Sequence, residues 1–360
     1  MIKSTLSLVT RHRQSLARQA DMILHRALTD SLRDDFSRRL GTKCDVVDYN
    51  ATRTGSLTVR LRADRSYVAK LPLRASTEPR LRQNAGALTL LSQLSWVTPF
   101  VSARCPTLVL LGTASGYFYS AETALPGRDG ASILRAHAGT DELILSAERF
   151  IAELQKASLV GSNPGRPLWE EHFQPAVERV ARLAESAGEA HCYRQLASYI
   201  RNRLAAQPIP SVYSHGNFWL GNVLFDTNDN LTGVIDWDCT TEFALPAVDL
   251  IYFLVRTDSL TRRVSFGEAL ADWIDAESVP FLDDCLTRHC HELSIPTDLI
   301  TPLSYCSWIQ HLDAHCRFGT STSADARWLS RNVRQVLHRW RLRTTAGRLE
   351  PGRWDRPKDR

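Results

Sequence analysis

Tyr213-Ser214-His215-Gly216-Asn217-Phe218-Trp219-Leu220-Gly221-Asn222-Val223-Leu224-Phe225, followed by Gly233-Val234-Ile235-Asp236-Trp237-Asp238, decides how this chain is read. Val223-Leu224-Phe225 and Thr232-Gly233-Val234-Ile235 are short β-forming runs, and Asp226-Thr227-Asn228-Asp229-Asn230 between them supplies the turn residues of a hairpin. Such a hairpin sets Asn222 and Asp236, at its open end, side by side. Asp236 offers a hard oxygen donor and Asn222 a neutral one, the donor types that magnesium accepts beside water and phosphate oxygens. Asp238 either assists that metal or is simply solvated. Gly216 permits a tight loop before the hairpin, and His215 is expected to hold that loop by hydrogen bonds. Trp219 is expected in the core. Asp249, in Pro246-Ala247-Val248-Asp249-Leu250, fixes local backbone or contacts the loop.

Upstream of the hairpin the texture is different. Leu16, Ala20, Ile23, Leu24, Ala27, Leu28 and Leu32 recur at helical spacing, which predicts an amphipathic helical extension over residues 1–40. Asp45 to Tyr49, Leu57 to Leu61 and Tyr67 to Leu71 alternate between polar turns, as an antiparallel meander does. A helix from Pro79 to Leu94 buries Leu81, Ala85, Leu88 and Leu91, and a strand pair follows around Thr107 to Leu111 and Tyr117 to Thr123. Pro126 and Gly127 mark a hinge. Beyond it the pattern is helical through Leu143, Ala147, Phe150, Ile151 and Leu154, then across Phe173 to Leu204, with strands expected only between Val212 and Trp237. These segments divide the chain into the extension 1–40, a β-rich lobe 41–121, a hinge and helical lobe 122–340, and a basic tail 341–360 that is expected to be mobile. Lys70 closes Val68-Ala69-Lys70 on a central strand, where a buried ammonium calls for an anionic partner such as a phosphate.

Bulk properties narrow the partners. With 360 residues, 43% hydrophobic and 23% charged, the chain can bury a sizeable core. A formal charge of +5, from 44 Lys and Arg against 39 Asp and Glu, is too small and dispersed to indicate nucleic acid. No apolar run reaches the roughly 18 residues of a membrane span, and Met1 to Thr10 lacks a signal-peptide pattern, so a cytoplasmic location is expected. The eight cysteines are scattered, as reduced thiols are. Cys285, His289, Cys290, His311, His315 and Cys316 can be assembled into a zinc reading, although no CxxC pair anchors it.

The chain resembles the aminoglycoside phosphotransferase family, a branch of the kinase-like superfamily, over approximately Cys44 to His338. The resemblance is carried by His215-Gly216-Asn217-Phe218, Asn222 and Ile235-Asp236-Trp237-Asp238, similar to the family's His-Gly-Asp-Phe-x-x-x-Asn and Ile-Asp-Trp-Glu/Asp. It implies an α+β, two-lobed protein-kinase-like fold, with a small antiparallel β-rich lobe and a larger helical one. It further implies ATP and Mg2+ as cofactors and a small hydroxyl-bearing acceptor. Lys70 would contact nucleotide phosphates, Glu122, Thr123 and Ala124 with Leu125 would form the adenine-binding hinge, and Asn222 and Asp236 would hold magnesium.

Two departures stand out. Asn217 replaces the family's catalytic aspartate, and an amide cannot act as a carboxylate base, a loss of about 10²- to 10⁴-fold in rate. Asn84 stands where a helix glutamate would pair with Lys70, and Glu78 lies too early on that helix, which predicts a poorly held lysine. Asn217 and His215 are thus the candidate catalytic residues of an O-phosphotransferase on an unidentified acceptor. The alternative is a pseudokinase, a nucleotide-binding or interaction module that acts through a protein partner. An aminoglycoside acceptor would require acids such as Glu170, Glu171, Asp283 and Asp284 to line its pocket.

Overall fold

The computed structural model describes residues 2–52, 54–136, 141–164, 169–275, 280–318 and 325–345, so most of the expected basic tail lies outside the described residues. Two compact units are present: Met1–Gln93 with Pro106–Leu125, and Leu94–Cys105 with Pro126–Arg360.

In the first unit, helix α1 (Ile2–Leu40) precedes strands β1 (Asp45–Ala51), β2 (Ser56–Arg62) and β3 (Ser66–Pro72), helix α2 (Glu78–Gln93), and strands β4 (Leu108–Ala114) and β5 (Tyr117–Thr123). The strands form one antiparallel sheet in the order β1-β2-β3-β5-β4. Period-two alternation explains the core: Leu57, Val59 and Leu61 of β2 point to one face, with Tyr67, Ala69 and Leu71 of β3 beside them. Leu28, Leu32 and Phe36 of α1 pack onto that face, each such burial contributing roughly 1.5–3 kcal/mol. Of the stripe residues from Ile23 onward, Leu28 and Leu32 are buried whereas Ile23, Leu24 and Ala27 are exposed, a departure from the expected stripe. The four predicted stripe residues of α2 are all buried.

The second unit is mainly helical, with two three-stranded sheets. One has the order β10-β9-β6, from β6 (Arg128–Asp129), β9 (Val223–Phe225) and β10 (Leu231–Val234); the other is β11-β8-β7, from β7 (Val160–Pro164), β8 (Pro208–Ser214) and β11 (Thr241–Ala244). Strands β6, β7 and β11 correct the expectation that strands occur only between Val212 and Trp237. They are short and recruited by pairing with β8 and β9, so no alternation announces them. The predicted hairpin forms: the Asp226 carboxylate accepts from the N–H groups of Asn228 (2.8 Å) and Asn230 (2.9 Å), an Asx-type closure, and Asp229 is left-handed. The long helical run from Phe173 divides into Gln174–Ser186 and Ala190–Ala205, separated at Gly188, whose φ is +74°.

Candidate active site

Lys70, in the first unit, is held by a residue other than the one expected. Lys70 lies opposite Ser120 and Val68 opposite Glu122, so Lys70 and Glu122 occupy the same face of the sheet on adjacent strands. The Lys70 ammonium is 3.2 Å from the Glu122 carboxylate, whose other oxygen accepts from the Asn84 amide at 2.9 Å. All three are buried. The expectation of a poorly held lysine is therefore corrected: the counter-ion has moved from the helix to strand β5, and Asn84 orients it. Glu78 pairs instead with Arg82, one turn along the same helix. Glu122 thus turns its side chain toward Lys70, while the N–H groups of Thr123 and Ala124 donate to the carbonyls of Thr107 and Ser66.

In the second unit, β8 delivers the chain into the His215–Asn217 loop, and Asp249 anchors it. Asp249 lies near the start of the helix Val248–Arg262, entered through Ala247 in a left-handed conformation (φ +62°). Its carboxylate accepts from the Ser214 hydroxyl (2.9 Å) and from the N–H groups of His215 (2.7 Å) and Gly216 (3.0 Å). Complete burial pushes its pKa up to about 6, against these hydrogen bonds. Gly216 is required: its φ is +75°, and a Cβ there would lie 2.0 Å from the Cys239 carbonyl oxygen. Gln310 clamps the same residue, donating to its carbonyl at 2.6 Å.

His215 is wholly buried beside the Trp237 ring, 4.5 Å away between centroids. Its Nδ1 accepts the Asn217 N–H at 3.3 Å, which assigns the proton to Nε2, donating to the Ile235 carbonyl at 3.1 Å. Burial pushes its pKa down to about 4, so it is neutral scaffold at physiological pH. Asn217 receives the Asn222 amide on its carbonyl at 3.0 Å, and its own side chain makes no hydrogen bond among the described residues. Trp219 is half-buried, with the Arg256 guanidinium over its ring, and not a core residue as expected.

Across the hairpin, the Ile235 N–H donates to the Asn222 carbonyl at 2.9 Å, which makes Asn222 and the residue before Asp236 direct backbone neighbours. Asp236 itself is left-handed (φ +62°), a conformation costing of order 1–3 kcal/mol that concentrates at functional sites. Because the Asn222 nitrogen is engaged by Asn217, its Oδ1 is the atom left to act as a ligand. One amide oxygen plus one carboxylate are donor types that magnesium takes beside water and phosphate oxygens. The zinc reading finds no support: His289 bonds Gln155 at 2.9 Å, His311 stacks on Phe266 and His315 on Trp328, and among the described residues no three or more His, Cys, Asp or Glu side chains come together to hold a metal ion. Sequence reasoning missed Gln310 and Ser214, whose roles arise only from packing.

A family model described as the phosphotransferase enzyme family (APH) matches residues 53–282, which span the Lys70 strand, the loop and the hairpin. The chain belongs to that family. No curated protein matches it in sequence. Among solved structures, a macrolide 2'-phosphotransferase type I aligns with TM-score 0.51 and 15% identity, over 84% of this chain and 96% of that one. An aminoglycoside phosphotransferase from Streptomyces rimosus gives 0.45 and 20%, over 77% and 95%. A glucosamine kinase in complex with glucosamine, ADP and inorganic phosphate gives 0.45 and 18%, over 84% and 79%. The macrolide enzyme supports the fold alone: an antiparallel β-rich unit and a helical unit of protein-kinase-like type.

Proposed function

We propose that this family member is an ATP-dependent O-phosphotransferase that phosphorylates a hydroxyl of a small acceptor. The observation that carries the reading is the preserved polar frame: a buried Lys70 with its own carboxylate, and a hairpin that presents Asn222 and Asp236. Lys70 would contact the nucleotide phosphates, fixed in place by Glu122, and the segment Thr123 to Leu125 would run along the base. Asn222 and Asp236 would hold magnesium, which when bound supplies charge neutralisation at the phosphates. Asn217 would position the acceptor hydroxyl through its amide, and His215 keeps the loop rigid without exchanging protons. Transfer of this kind depends mostly on positioning and charge stabilisation, so it survives the loss of a carboxylate base at reduced rate.

The test is ATP-dependent phosphoryl transfer by the purified chain, compared with Asp236→Ala and Asn217→Asp. Turnover that disappears in Asp236→Ala and rises tenfold or more in Asn217→Asp is the expected result. Metal-dependent ATP binding with no transfer to any hydroxyl compound, before and after Asn217→Asp, would establish the pseudokinase instead.

A further inference from the structure

We propose that the acceptor carries an anionic group, a carboxylate or a phosphate, recognised by Arg179 and Arg317, and is not a polycationic amino sugar; this rests on the phosphotransferase reading above. The second unit contains a cavity of about 130 Å³ bounded by Ser214 and Gly216, directly before Asn217. That is roughly the size of an engineered cavity that admits one benzene ring, enough for the reacting part of a small molecule. Its remaining walls are Phe173, Val248, the segment Cys239–Leu245 and the helices Gln174–Ser186 and Ile300–Phe318. Gln310, on the last of these helices, ties that wall to the loop through the Gly216 carbonyl. A ligand here therefore lies against the loop that would orient its hydroxyl.

The charge of this wall decides the class of ligand. Its ionised residues are Arg179, Arg317 and Asp313. Asp313 is buried and already engaged, at 2.5 Å and 3.0 Å by Arg179 and at 3.8 Å by Arg317. An ammonium would have to displace a guanidinium from a buried carboxylate, which is strongly unfavourable. An anion meets the opposite situation. The two guanidinium side chains remain 36% and 41% exposed, and the Asp313 pairing uses only two of the five N–H donors of Arg179. The acids that the sequence offered for an amino sugar are elsewhere: Glu170 pairs with Arg201, and Asp283 accepts from the Trp273 indole.

Screening the full chain by thermal shift and calorimetry against hydroxyl compounds matched in skeleton tests this directly. Glucuronate, glucose 6-phosphate, glucose and glucosamine form one such set within a library of hydroxy acids, phosphates, neutral alcohols and amino alcohols. Binders are expected among carboxylates or phosphates, at least tenfold tighter than their amine counterparts, and the two anionic arms distinguish which group is preferred. Arg317→Gln is expected to weaken them by about tenfold to a hundredfold, the effect of one charge-assisted hydrogen bond, whereas Arg317→Lys retains the preference. A library with no anionic binder, an amine that outbinds its acid counterpart, or unchanged affinity in Arg317→Gln would each overturn the proposal. Phosphoryl transfer to an amine-bearing acceptor alone would refute the charge assignment and leave the enzyme reading standing. Arg317-dependent anion binding without phosphoryl transfer would do the reverse.

Discussion

At the scale of single residues, the informative substitution is the pair Asn84 and Glu122. Sequence alone showed a helix position without its carboxylate, because the partner of Lys70 was sought on the helix. The carboxylate comes from strand β5, and only the β3–β5 register, Val68 opposite Glu122, puts it beside the lysine. Removing one partner of a buried ion pair typically costs about 3–5 kcal/mol, and both side chains here are nearly inaccessible. Glu122→Gln is therefore expected to lower the melting temperature and to raise the KM for ATP by tenfold or more. Asn84→Glu added to that variant returns a carboxylate from the helix side and should recover most of the loss. Nucleotide titrations and melting curves on the single and double variants check this. A double variant no better than the single one would show that Glu122 does more than balance Lys70.

At the scale of elements, the regular pieces were legible and the irregular ones were not. Strands β1 to β5 follow from alternating residues and polar turns, and the hairpin follows from the Asp226-to-Asn230 segment. The loop at 215–217 is held differently, by a carboxylate on another element. Asp249 gathers three donors, and no local pattern distinguishes a buried aspartate near a helix start from a solvated one. In Asp249→Asn an amide nitrogen meets donors from Ser214, His215 or Gly216, leaving at least one buried donor unsatisfied, at a cost of about 1–3 kcal/mol. The expected result is a lower urea midpoint together with a fall in kcat larger than any change in the KM for ATP. Retention of wild-type kcat would show that the loop keeps its geometry without Asp249.

At the scale of the molecule, family and fold were readable because the loop and hairpin lie close together in sequence. The cavity wall beside the loop was not, because Arg179, Gln310, Asp313 and Arg317 come from two distant helices that only packing brings to the loop. Buried histidines of the second unit predict a loss of stability in acid. His289 is buried, with Nε2 bonded to the Gln155 amide oxygen and Nδ1 without a partner among the described residues, and burial pushes its pKa down to about 4. That Gln155 oxygen also accepts the Ala247 N–H at 3.1 Å, at the start of the helix carrying Asp249. Burial, together with Arg256 and His315, pushes His311 down to about 3. Both values lie below the unfolded 6.5, so below that pH the unfolded chain binds protons that the folded one refuses, and stability declines until pH reaches the folded values. At pH 5 this amounts to about 2 kcal/mol for each histidine, while Asp249, raised to about 6, returns about 1 kcal/mol because the folded state protonates first. Urea denaturation is expected to give lower stability at pH 5 than at pH 7.5. His289→Gln, which retains an amide facing Gln155, should shrink that difference by about 2 kcal/mol. Parallel pH profiles for the two proteins would place the acid sensitivity elsewhere.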